Sequence, residues 1–163
     1  MVCHLKRAVF FFEEDTAIPA DSKPLMLEAL LSCPILSQAS AQLLADGIRR
    51  FFVVSSPRFA EEARACFPAS ADVTISEQAA DLMAFLNTPD LVLVLPRAAY
   101  PMAEAGPGFA YAATGYELQE TWRERMTNHV QGAKLISGWL PVYDRATIAE
   151  IEYVLRSKNE NSG

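Results

Sequence analysis

A repeated alternation constrains this chain more than any single residue does. Short apolar runs of strand length, Ala8 to Phe12, Phe51 to Val54 and Leu91 to Leu95, are separated by stretches with helical period. Repeated strand–helix units are what a parallel sheet requires, because each crossover must return the chain to the end of the sheet from which the previous strand started. The unbroken Leu/Val content of 90–95 marks a strand covered on both faces. The reading predicts the order β-α-β-α-β-α-β: a strand over 6–12, a helix over 35–45, a strand over 49–55, a helix from Pro57 to Cys66, a strand over 72–76, a helix over 78–86 and a strand over 90–95. Leu36, Ala39, Leu43 and Leu44 fall on one face of the first helix, and Asp46-Gly47 ends it. The expected fold class is α/β, a three-layer α/β/α arrangement around a mostly parallel sheet.

After Pro96 the pattern changes. The stretch 98–113 is rich in Ala, Gly and Pro and reads as a loop. A polar surface helix is expected over 117–130, with Leu118, Trp122 and Met126 as a narrow apolar stripe, followed by a last strand over 134–136. Asp144 is placed to cap a closing helix whose buried face is Ile148, Ile151, Val154 and Leu155, with fraying expected from Ser157 onward.

At 163 residues and 51% apolar, the chain is large enough for one core and is read as a single domain, 1–163. Its longest apolar runs are far below the roughly 20 residues of a membrane helix, and no charged-then-apolar leader precedes the first strand, so no membrane association and a cytoplasmic location are expected. Cys3, Cys33 and Cys66 show no Cys-x-x-Cys spacing and are read as reduced thiols. A net charge of −6, with Arg49-Arg50 as no more than a flanking pair, excludes nucleic acid as an expected partner. His4 and His129 have no metal-ligand spacing around them, and neither a P-loop nor a Gly-x-Ser-x-Gly motif occurs.

The chemistry is concentrated just after the first strand, where Glu13-Glu14-Asp15-Thr16 follows without a glycine. Loops at that place in nucleotide-binding α/β folds cradle phosphate with backbone N–H groups and carry no negative side chains. Like charges about 4 Å apart repel by about 1 kcal/mol in water and several times that near a protein surface. A triphosphate is therefore opposed here.

In spite of that loop, the chain resembles the sugar-1-phosphate nucleotidyltransferases over nearly its whole length, most closely the uridyltransferase domain of bacterial N-acetylglucosamine-1-phosphate uridyltransferases. Cys33-Pro34-Ile35-Leu36 is similar to that family's Lys-Pro-Leu/Ile/Met at the first helix, and Gly47-Ile48 with Phe52-Val53-Val54 to its second strand. Glu77 to Ala84 falls on the uracil segment, Leu95 to Met102 on Leu-x-Gly-Asp-x-Pro-Leu, and Pro141 to Arg145 on Gly-Val-Asn-Asp-Arg. Thr114-Gly115-Tyr116 resembles the start of the sugar-binding segment, and Lys23-Pro24 a transposed Pro-Lys.

The resemblance implies a Rossmann-like, GT-A-like nucleotidyltransferase fold in shortened form: a nucleotide-binding half over 1–100, a reduced sugar half over 101–140 and a closing helix over 141–158. It implies substrate-binding positions at Lys23, Gln78, Gly115 and Tyr116, and a Mg²⁺ position at Asp144. It also implies losses. The family's catalytic Arg is replaced by Ile18, the metal-binding Asp by Ala99 and the Asn by Tyr143, while the Gly-Thr-Gly turn at the base becomes Ala80-Asp81-Leu82, which favours helix. Removing a divalent clamp removes the electrostatic stabilisation on which phosphoryl-type transfer depends. The expectation is a degenerate, non-catalytic binding or regulatory module without a cofactor, working through a protein partner or as a homo-oligomer. The alternative is an active nucleotidyltransferase, of sugar-phosphate or molybdenum-cofactor type, that uses Glu13, Asp15 or Asp144 as substitute Mg²⁺ ligands. The chain ends soon after the closing helix, without a left-handed β-helix, so no acetyltransferase activity is expected.

Overall fold

The computed structural model describes residues 5–121 and 133–162. Cys3, His4, Trp122, Met126 and His129, and with them most of the helix expected over 117–130, lie outside the described residues.

Four strands form the parallel centre: β1 (Leu5–Phe11), β4 (Arg50–Val54), β5 (Asp72–Ser76) and β6 (Leu91–Leu95). Two short ladders, β2 (Ala29–Leu30) with β3 (Cys33–Pro34) and β7 (Ala99–Pro101) with β10 (Trp139–Pro141), lie outside the main sheet. The main sheet is completed by β8 (Tyr111–Thr114), antiparallel to β6, and β9 (Lys134–Leu135), antiparallel to β8, giving the order β5-β4-β1-β6-β8-β9. The protein is thus α/β with a mixed six-stranded sheet. Among the described residues the α-helices are α1 (Ile35–Ala45), α2 (Ala60–Arg64), α3 (Ala79–Phe85), α4 (Gly115–Thr121) and α5 (Arg145–Ser162).

The apolar runs are unbroken because both sheet faces are covered. Successive side chains of a strand point to opposite faces, and here they divide between two cores. Ala8, Phe10, Phe51, Val53, Leu93 and Leu95 join the core that holds Ile35, Leu36, Ala39 and Leu43 of α1 and Ile148 and Ile151 of α5. Val9, Phe52, Val92 and Val94 join the other, with Leu82 and Phe85 of α3 and Leu118 of α4.

Local signals set the helix ends. The N–H of Ile48 donates to the carbonyl of Leu43 and that of Gly47 to Leu44, with Gly47 at φ +100°, the paired bonds of a Schellman stop. Asp144 caps α5: its Oδ1 accepts from the Thr147 N–H at 2.9 Å.

Three expectations are corrected. The stretch 98–113 is not a plain loop, because Ala99–Pro101 and the start of β8 are strands; Ala-rich strands are silent when β-branched residues are the signal sought. The closing helix continues to Ser162. Val154 is 47% exposed, not core. At about 100° per residue, Val154 lies well off the stripe of Ile148, Ile151 and Leu155, while Glu152 lies closer to its centre. The Glu152 carboxylate accepts a bond from the Leu31 N–H at 2.9 Å.

Candidate functional site

Parallel strands that end together leave a depression at their carboxyl ends, lined by the residues where each strand gives way to its loop. Here that depression is a cavity of about 850 Å³. β1 and its following loop contribute Phe11 to Thr16, β4 contributes Val54 and the residues after it Ser55 and Ser56, the β5–α3 junction contributes Glu77 to Ala79, and Pro96 follows β6.

The acidic loop is built into the fold. The Phe12 N–H extends the ladder to the Val54 carbonyl at 3.1 Å, which carries the chain straight into Glu13. The Glu13 carboxylate turns back and accepts from the Leu25 N–H at 2.9 Å, and burial pushes its pKa up. Asp15 opens a 3-10 turn and accepts from the Ser56 hydroxyl at 2.9 Å, tying the loop to the end of β4. Ile18 is buried in the core beside α1. On the opposite rim the Ser76 hydroxyl accepts from the Gln78 N–H and donates to Asp81, which starts α3 at Ala79 as a helix, not as a turn around a base.

All the charged residues of the lining are acidic: Glu13, Glu14, Asp15 and Glu77. The nearby cations are engaged elsewhere. Lys23 Nζ pairs with Glu62 at 3.0 Å, Arg58 donates to the Ala20 carbonyl and lies over the Phe59 ring, and Arg97 lies over the Phe109 ring. No group of three or more His, Cys, Asp or Glu arranged to hold a metal ion occurs among the described residues.

The sequence-predicted site residues separate. Gln78 lines the cavity, on the rim after β5. Lys23 does not line it. Gly115 and Tyr116 stand at the other end of the sheet, because Thr114 pairs with Leu91, the first residue of β6, while the cavity lies past the last. A five-residue strand, on the order of 13 Å long, lies between. There Gly115 serves packing: a Cβ would overlap the Leu86 carbonyl and the Thr88 side chain. Thr114 and Glu117 form a reciprocal capping box, with Thr114 Oγ1 accepting from the Glu117 N–H and Glu117 Oε1 accepting from the Thr114 N–H. The Thr-x-x-Glu spacing is the sequence signal of such a box, and it places the helix start two residues before the expected 117. Asp144 is outside the lining, and its bonds to the Thr147 N–H and hydroxyl hold its pKa down. Ser55, Ser56, Glu77 and Pro96 were missed as lining residues, although their position directly after strands is the signal that finds them.

In comparisons with known proteins, no family model matches the chain and no curated protein matches it.

Proposed function

We propose that this protein is a non-catalytic binding module of Rossmann-like, nucleotidyltransferase-like design, acting in the cytoplasm, whose cavity takes a ligand other than a nucleoside triphosphate. The observation that carries this reading is the lining at the carboxyl ends of β1, β4 and β5, where four carboxylates stand and no Lys or Arg does. A polyphosphate needs backbone N–H groups, cations or a divalent ion at that place. Glu13 lends its carboxylate to the loop itself, and Ile18 packs into the core. At about 4 Å, each carboxylate–phosphate encounter near a surface opposes binding by about 4 kcal/mol per unit charge pair.

The rival reading is an active enzyme in which substitute carboxylates, Glu13, Asp15 or Asp144, hold the Mg²⁺. Of these, Glu13 accepts from the Leu25 N–H and Asp15 from the Ser56 hydroxyl in the cavity lining, while Asp144 is a helix cap outside the cavity. Free thiols at Cys33 and Cys66 fit a reducing compartment. The test is pyrophosphate release from UTP, CTP and GTP with Mg²⁺ and a panel of sugar 1-phosphates. The expected rate equals the protein-free blank; turnover abolished by Asp15→Asn would overturn the reading.

A further inference from the structure

We propose that the cavity binds a small organic cation, an amine carrying an apolar or aromatic body. The inference rests on the reading of the chain as a binding module and names the class of its ligand. The site is the cavity: about 850 Å³, within the roughly 300–1,000 Å³ usual for small-molecule sites, and at the strand ends where open α/β sheets take ligands.

The lining selects the chemistry. Phe11, Val54 and Pro96, backed by the buried Phe12, give it an apolar wall, which suits a hydrocarbon body. Asp15 and Glu77 stand on two different rims, one after β1 and one after β5, so the negative field crosses the opening from both sides. Lys23 is paired with Glu62, Arg58 donates to the Ala20 carbonyl, Arg97 lies over the Phe109 ring, and none of the three belongs to the lining. Clefts lined by one sign of charge concentrate the opposite ion. A bare metal ion fits poorly, because among the described residues no three ligating side chains come together. Carboxylates spread around an apolar wall match an ammonium group attached to a larger body. Gln78, with both a donor and an acceptor, is placed to orient it.

The test uses three probes with the same phenyl-alkyl body, phenethylamine, phenethyl alcohol and 3-phenylpropionate, titrated against the full chain by NMR. The amine is expected to bind saturably and about tenfold more tightly than the alcohol, with its affinity falling as salt is raised. Asp15→Asn/Glu77→Gln is expected to remove that tenfold advantage of the amine over the alcohol. The proposal is overturned if 3-phenylpropionate binds as well as the amine, if no probe binds up to about 10 mM, if the double variant leaves amine affinity intact, or if Ca²⁺ or Mg²⁺ alone saturates the same residues. UTP with Mg²⁺ forms a separate arm. Saturation by UTP removes the binding-module reading, whereas silence of both UTP and the amine removes only the present proposal.

Discussion

The carboxylate of Glu13 accepts a hydrogen bond from the backbone N–H of Leu25 at 2.9 Å, so the first acidic residue after β1 holds the loop that returns toward the core. Burial raises its pKa above the ordinary value of 4.5 despite that bond. A carboxyl with a raised folded pKa binds its proton more tightly in the folded state, so its contribution favours folding in acid and is lost as pH rises through the folded pKa. Glu13→Gln keeps the acceptor and drops the charge. It is expected to be at least as stable as the parent at pH 7 in urea unfolding, with the difference shrinking toward pH 4.5. Glu13→Ala leaves the Leu25 N–H without its partner and is expected to cost about 1–3 kcal/mol.

Gly115 is needed for contact. Gly115→Ala drives a methyl group into the Leu86 carbonyl and the Thr88 side chain. The expected loss is about 1–3 kcal/mol, the usual cost of overpacking, measured by urea unfolding. Ligand affinity at the cavity should stay unchanged, because Gly115 lies at the far end of β6.

The β2–β3 turn carries strain that can be relieved. Leu31 and Ser32 sit at φ 55° and 68°, in the left-handed region that glycine occupies without penalty. Ser32→Gly is expected to stabilise by about 1 kcal/mol. Leu31→Gly is not expected to do so, because Leu31 packs against the core that contains α1. Paired thermal denaturation scans distinguish the two variants.

Asp144 is predicted to act as a cap. Its pKa is held down by the Thr147 N–H, so its contribution is present above the unfolded value of 3.8 and is lost as pH falls through the folded pKa. Asp144→Ala should lower the melting temperature and Asp144→Asn should largely preserve it. Added Mg²⁺ should shift neither melting curve. A Mg²⁺-dependent shift in the parent that both variants lose would assign Asp144 to a metal.

The central layer was legible because Phe10, Phe52 and Val94 belong to uninterrupted apolar runs, and such runs in a βα repeat have few other uses. β8 was not legible, since Tyr111-Ala112-Ala113-Thr114 owes its strand state to pairing with Val94 to Leu91 and not to its own propensity. In the site, the acidic loop could be read because it follows a strand, and Gln78, placed by motif likeness, lines the cavity because it too follows one. Gly115 and Tyr116 were placed by motif likeness, but the antiparallel direction of β8 sends the residues after it to the opposite end of the sheet. Direction is a tertiary property, and no local pattern carries it.

Whether the acidic cavity rejects a polyphosphate is decided by an NMR titration with UTP and Mg²⁺, observed at the backbone amides of Asp15, Ser56 and Gln78 in the cavity lining. No saturable shift is expected at these amides up to about 1 mM nucleotide. Saturable, Mg²⁺-dependent shifts at all three with micromolar affinity would contradict that expectation.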